Sequence, residues 1–394
     1  MPKSIDCMTG GSSASHNISP QLSASTGHHY RSRVAEVRCR FDVAFRGHEP
    51  SIAGRAEAIR DTLPAMTTAT APTVLRATAP GTILPEERES VQLWDLQGSL
   101  GGRETARIAA PGAALHLDVY PAYSEGGATA AQTDSARGTV VFVGGLSAHA
   151  LMYGGFCAAL AQRGWNVVGV DVRGHGRSGG RRGDFTTETL LQDLRATVDY
   201  ACERFATTHV ALMGSSLGGY YALVAANALD KVAAGISHWI FLPGEPVTKK
   251  DQRIKPIALA LNRLVPRLRI PTKAIAEWEH VTEDPAIREA IERDPLQSWK
   301  YSIRALASGL TYKPDRPLTD LRVPHLVLLG DRDQMTPVTY TQGIYAQLQG
   351  EKEWVTIDDA GHMGGLIERR EAVLDAVDDF LARRLEGVGA ANSQ

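Results

Sequence analysis

From residue 139 onward, short apolar runs alternate with longer amphipathic stretches, and this alternation constrains the fold more than any other feature of the chain. Residues 139–143, Thr-Val-Val-Phe-Val, are apolar and short enough for a buried strand, and Gly144-Gly145 ends the run. A predicted helix over 153–163, a strand over 166–172, a helix over 187–205 and a strand over 209–213 follow. The series continues with a helix over 217–229 and a strand over 234–238. Past an interruption it resumes as strand 325–329, helix 340–348, strand 354–357 and helix 369–383. Such a chain is predicted to be α/β, a doubly wound and mostly parallel sheet with helices on both faces. The interruption, about 242–311, is helix-rich and reads as an inserted cap.

Ahead of the alternation, residues 106–120 read as a hairpin around Pro111-Gly112, and a polar segment over 124–137 links it to the first parallel strand. Residues 1–90 are rich in Ser, Thr, Ala, Pro, Gly and Arg without a sustained period. They are predicted to form a disordered extension to an ordered domain over 91–394. Met66 is a plausible alternative start.

Composition narrows the function. The 394 residues are 43% hydrophobic, ample for a large core, and a net charge of -2 with scattered Lys and Arg argues against nucleic acid as a partner. A small, largely uncharged ligand suits such a chain. Cys7, Cys39, Cys157 and Cys202 form no CxxC pair and no cluster with His, so no metal site, cofactor or disulfide framework is expected. With no apolar run of signal-peptide or membrane-helix length, the expected location is cytoplasmic. No feature of the sequence specifies an oligomeric state.

Gly214-Ser215-Ser216-Leu217-Gly218 fits G-x-S-x-G, a weak pattern alone, but it lies between a predicted strand and an Ala-rich helix. A side chain projected from the tip of so sharp a turn needs strained backbone at the nucleophile and no Cβ two residues to either side. Ser216 is therefore the candidate nucleophile. A serine hydroxyl needs a histidine to take its proton, and the imidazole needs a carboxylate to fix its tautomer. Strand 325–329 runs into Gly330-Asp331-Arg332-Asp333, at the sheet edge where such folds bind ligands. Asp333 is preferred as the acid, being further into the turn, with Asp331 expected to brace the loop. His362 is the only histidine after Asp333 and is the candidate base. The backbone amides of Leu217 and Leu146 are the candidates for an oxyanion hole.

With these residues assembled, the chain over about 104–385 resembles the α/β-hydrolase superfamily, in its monoacylglycerol lipase, lysophospholipase and serine aminopeptidase-like branch. The likeness rests on four segments. They are Gly145-Leu-Ser-Ala-His149 with Tyr153, Asp171-Val-Arg-Gly-His-Gly-Arg-Ser178 with Gly180, Arg182 and Gly183, Gly214-Ser-Ser-Leu-Gly-Gly219, and Gly330-Asp-Arg-Asp333 with Gly361-His362. The resemblance implies the same triad and oxyanion roles, no metal, and hydrolysis of a small ester of monoglyceride or short acyl type. Peptidase, lactonase, thioesterase and carbon-carbon hydrolase chemistry use the same triad, and a ligand-binding protein that turns over poorly is the alternative outside enzymes. The chain departs from the branch at Gly144, where histidine is usual, and at Ser215, where histidine usually precedes the nucleophile. These departures bear on the pocket, for which His149, Tyr153, Ser215, Trp239 and Met363 are the expected lining residues.

Residues 249–273 mix Lys249, Lys250, Arg253, Lys255, Arg263, Arg267 and Arg269 with Ile257, Leu259, Leu261, Leu264, Val265 and Leu268. An amphipathic cationic segment of this kind either makes peripheral contact with a membrane or packs its apolar side over the pocket. Trp278 and Trp299 accompany it as pocket or cap-core residues.

Overall fold

Apolar side chains on both faces of a strand require cover on both faces, and the central strands of this chain meet that condition throughout. The computed structural model describes residues 72–122, 136–242, 249–363 and 365–385. All fall within one compact unit, 68–394. A nine-stranded sheet runs β1 (Val74–Ala77), β2 (Glu104–Ala110), β3 (Ala113–Tyr120), β5 (Trp165–Asp171), β4 (Gly138–Val143), β6 (Val210–Ser215), β7 (Val232–His238), β10 (His325–Gly330) and β11 (Lys352–Ile357). From β5 to β11 neighbours are parallel, while β1, β2 and β3 pair antiparallel at one edge. The expected hairpin is β2 and β3, turned at Pro111-Gly112. The chain lays β5 on one side of β4 and β6 on the other, so the sheet has a topological switch point between β4 and β6.

Alternation along the strands builds two cores. Val141 and Val143, with Val210 and Leu212, face α3 (Thr187–Arg204) and α4 (Leu217–Ala228). Val140 and Phe142, with Ala211 and Met213, face α2 (Gly154–Gln162) and α9 (Arg370–Leu385). The remaining helix of the main body, α8 (Val338–Gln347), follows β10. Most elements start and end within one or two residues of the sequence expectation.

Residues 72–90, read from the sequence as part of a disordered extension, contain β1, a 3-10 turn at Pro85–Glu87 and the start of α1 (Arg88–Leu93). Burial of charge holds this segment, not periodicity. Glu87 is fully buried and pairs with Arg103 and Arg177. Asp118 closes on Arg103 at 2.9 Å and on Arg177 at 2.5 Å, and Asp171 reaches Arg177 at 3.1 Å. Burial alone would raise the Asp118 carboxyl, but Arg177 and Arg103 beside it hold it well below the usual carboxylate range. Among the described residues, Glu87, His116 and Asp118 are the group close enough to hold a metal ion, yet both carboxylates are already engaged by guanidinium groups. Cys157 and Cys202 are free and buried, while Cys7, Cys39 and Met66 lie outside the described residues.

Between β7 and β10 the cap contains α5 (Lys249–Leu264), α6 (Pro285–Arg293) and α7 (Ile303–Thr311). It also holds a small antiparallel pair that the sequence reading lacked, β8 (Arg269–Pro271) with β9 (Lys300–Ser302). On α5, Ala258 is buried against the site cavity, whereas Ile257 and Leu264 face outward, Leu264 being 78% exposed. Val265 and Leu268 continue that exposed apolar strip. No described helix is long and apolar enough to cross a membrane.

Candidate active site

Ser216 stands between the end of β6 and the first turn of α4, with φ 54° and ψ -124°. A non-glycine residue rarely adopts this backbone, and strain of about 1–3 kcal/mol persists only where the surroundings impose it. Here the surroundings are backbone. A Cβ on Gly214 would lie 2.0 Å from the Gly218 carbonyl oxygen, and one on Gly218 would lie 2.3 Å from that of Val143. The Ser216 amide donates to the His238 carbonyl at 2.8 Å, tying the turn to β7.

Three distant segments meet at this turn. His362 Nε2 lies 2.8 Å from Ser216 Oγ, and its Nδ1 lies 2.8 Å from Asp333 Oδ2. The carboxylate can only accept, so Nδ1 carries the proton and Nε2 presents its lone pair to the serine hydroxyl. Asp333 Oδ1 accepts from the Thr336 amide at 2.8 Å. Burial alone would raise the Asp333 carboxyl, but His362 and the Thr336 amide outweigh it and hold it below its ordinary value. Asp331 points elsewhere. It is exposed and accepts from the Ala360 amide at 3.2 Å, bracing the loop that carries His362. Close packing of these two loops also explains Gly330, where a Cβ would meet the Ala360 carbonyl at 2.1 Å.

The backbone of Gly145 passes against the nucleophile, since a Cβ there would come within 3.0 Å of the Ser216 Cβ. Leu146 and Leu217 line the same cavity as Ser216, and neither amide has a hydrogen-bond partner among the described residues. Two unpaired donors at the start of α4 and after β4 form an electropositive patch beside a hydroxyl.

A cavity of about 300 Å3 opens from Ser216 and His362 under the cap. Tyr153, Trp239 and Met363 line it. His149 and Ser215 do not. His149 turns away to Asp294 Oδ2 at 2.8 Å, where Ser90 and Trp94 also donate to the carboxylate, and Ser215 is fully buried in β6. Trp278 lines the cavity and meets Trp299 edge-on. The sequence reading missed Phe185, Tyr221, Phe241 and Leu306, which add apolar wall from the loop before α3, from α4, from the segment after β7 and from the cap. No local pattern marks them, because they become neighbours only through the sheet. Trp239 has one further property: its φ of 74° is left-handed, a genuine outlier for so bulky a residue. Its ring stacks on Phe241 at 5.6 Å and meets His362 edge-on at 6.0 Å.

A second buried imidazole sits behind the first. His238, at the end of β7, has its ring 6.2 Å from that of His362 and no partner among the described residues for either nitrogen. Burial, reinforced by the neighbouring His362, pushes its pKa down to about 4, so it stays neutral.

Fold, strained serine and converging loops together define an α/β-hydrolase. Residues 134–366 match the family described as "Serine aminopeptidase, S33", and the chain belongs to that family. A monoacylglycerol lipase of Mycolicibacterium smegmatis is 28% identical over 208 residues, 51% of this chain and 72% of its own length. Two solved structures share the fold. A monoacylglycerol lipase of Paleococcus ferrophilus superposes with a TM-score of 0.56 at 23% identity, covering 68% of this chain and 98% of its own. A soluble variant of Saccharomyces cerevisiae monoglyceride lipase, in complex with a substrate analog, gives 0.60 at 19% identity, covering 70% and 94%. The chain is thus a hydrolase of the monoacylglycerol lipase and serine aminopeptidase-like branch.

Proposed function

We propose that this hydrolase cleaves small carboxylic esters, of monoglyceride or short acyl type, through an acyl-enzyme on Ser216. The observation that carries the reading is the unbroken hydrogen-bond series from Ser216 Oγ through His362 to Asp333, opening into an apolar cavity. His362 takes the hydroxyl proton as Ser216 attacks the ester carbonyl, and Asp333 stabilises the imidazolium that forms. The amides of Leu146 and Leu217 receive the oxyanion. His362 then gives its proton to the leaving alcohol, and water repeats the sequence in reverse to release the acid.

An aromatic and aliphatic wall suits an acyl chain better than a charged substrate. Among the described cavity residues Glu277 is the only carboxylate, and it is exposed, which gives a peptide's terminal ammonium little to bind there. The exposed strip Ile257, Leu264, Val265 and Leu268, flanked by Arg263 and Arg267, suits peripheral contact with an anionic lipid surface that would deliver such an ester.

A fluorophosphonate probe tests the chemistry: wild-type protein is labelled and Ser216→Ala is not. Turnover of p-nitrophenyl esters of graded chain length then defines the acyl preference. A wild-type protein that neither labels nor hydrolyses any ester would leave the fold as a ligand-binding scaffold and end the reading.

A further inference from the structure

Ser147 follows the Leu146 amide directly, and its backbone is left-handed at φ 67° although it is not glycine. Such a conformation needs to be held. Two hydrogen bonds from the cap hold it. The Ser147 amide donates to the Tyr301 hydroxyl oxygen at 3.0 Å, and the Ser298 amide donates to the Ser147 carbonyl at 3.0 Å. Tyr301 is in β9 and wholly buried, as is Ser147 itself.

The loop after β5 completes the clamp. His175 Nδ1 faces the Arg173 carbonyl at 3.1 Å, and a carbonyl only accepts, so Nδ1 carries the proton. His175 Nε2 lies 2.6 Å from the Tyr301 hydroxyl. The ring is buried and neutral, which leaves Nε2 as an acceptor and makes Tyr301 the donor. The resulting relay has one direction throughout: Ser147 N-H to Tyr301 O, Tyr301 O-H to His175 Nε2, His175 Nδ1-H to Arg173 O. On the second arm, Ser298 Oγ donates to the Gly174 carbonyl at 3.1 Å. Gly183 lets β9 approach, because a Cβ there would lie 1.8 Å from the Lys300 carbonyl oxygen.

We propose that Tyr301 and His175 are positioning residues for the oxyanion site, fixing the strained turn that aims the Leu146 amide at the reacting carbonyl. The Asp171–Ser178 segment, one of the four that carry the family likeness, thereby acts on the reaction through the cap. Tyr301 and His175 hold the turn that presents the amide, and the cap is joined to the oxyanion site through the Tyr301 phenol and the Ser298 amide. This rests on the esterase reading above.

The test is Tyr301→Phe, which keeps the ring and removes both hydrogen bonds. Removing an oxyanion donor outright costs about 100- to 1,000-fold in kcat, so loosening one is expected to cost about 10- to 100-fold. Affinity for a tetrahedral boronic acid inhibitor falls in parallel, while KM and the affinity for the carboxylic acid product change less than about three-fold. His175→Leu approaches the same relay from its other end and reads the same quantities should Tyr301→Phe fail to fold. Wild-type kcat in a folded variant, or equal weakening of boronic acid and product, overturns the proposal. Absence of fluorophosphonate labelling in the wild type is a different outcome, and it overturns the esterase reading on which the proposal stands.

Discussion

Asp294 of the cap holds His149 of the loop after β4 at 2.8 Å, with both side chains removed from solvent. The same carboxylate accepts from Ser90, Trp94 and the Leu296 amide, so one buried charge joins the N-terminal segment, the cap and the loop that carries Leu146. Burial alone would raise the carboxyl, but His149, Ser90 and Trp94 draw its pKa down to about 2.

Truncating such a carboxylate strands every donor around it, and breaking a buried pair typically costs about 3–5 kcal/mol. Asp294→Ala is therefore expected to unfold at a clearly lower urea concentration than the wild type. The pH dependence has a defined sign. A folded pKa below the unfolded value of about 3.9 contributes stability that is complete above that value and is lost as pH falls toward 2. Urea midpoints measured from pH 5 down to pH 2.5 check this, and a variant with the wild-type acid profile would contradict it.

Asp333 and Asp331 are two residues apart but do different work. Asp333→Asn leaves His362 without its proton acceptor and favours the wrong tautomer, for which a loss of about 10,000-fold in kcat is expected. Asp331→Asn removes only a brace at 3.2 Å on an exposed loop, and kcat is expected to stay within about three-fold. Steady-state kinetics on one p-nitrophenyl ester decides between them; comparable losses in both variants would mean the acid has been misassigned.

Much of this molecule was legible because its strands and helices are locally encoded. The runs at 139–143 and 325–329 and the turn glycines at 214 and 218 sit where a parallel sheet and a strained serine need them. Ser216, Asp333 and His362 could be paired from their order along the chain. What escaped was set by partners far away in sequence. Glu87 lies in a stretch without periodicity, and its distant partners Arg103 and Arg177, with Asp294 on Ser90, show why that stretch is ordered. His149 was read as a pocket residue because its loop leads there, and its actual partner is 145 positions away. Residues 124–135 of the polar linker lie outside the described residues.

Glycine positions give an opposed pair of predictions. Gly343 is exposed within α8 and a Cβ there meets nothing within 4 Å. Gly343→Ala is expected to stabilise the protein by about 0.4–1 kcal/mol, by restricting the unfolded chain and favouring the helix. Gly214→Ala places a methyl group 2.0 Å from a backbone oxygen that has no room to retreat. That variant is expected either to lose the strained turn, with fluorophosphonate labelling abolished, or to fail to fold. Thermal melts and probe labelling of the two variants side by side check both directions; a destabilised Gly343→Ala or a fully labelled Gly214→Ala would refute the respective prediction.

Three buried histidines set how the fold responds to mild acid. Burial pushes His175 and His238 down to about 4 and His325 to about 3, all below the ordinary value of about 6.5. Each folded ring therefore refuses a proton that the unfolded chain accepts. Stability is complete above pH 6.5 and declines as pH falls from there toward 4, by about 1.4 kcal/mol per pH unit for each ring and about 4 for the three together. Asp294 contributes nothing to this window, since its own loss begins near pH 4. His325 supplies the control. Its Nε2 sits 2.8 Å from the Ser237 hydroxyl, far from the reacting serine in function, and His325→Gln keeps a hydrogen-bonding group there while removing the titration. Urea unfolding between pH 6.5 and 5 should show the steep slope in the wild type and about two-thirds of it in the variant. A flat profile in the wild type would mean that the rings take up protons within the folded state, by local opening that lets water reach them.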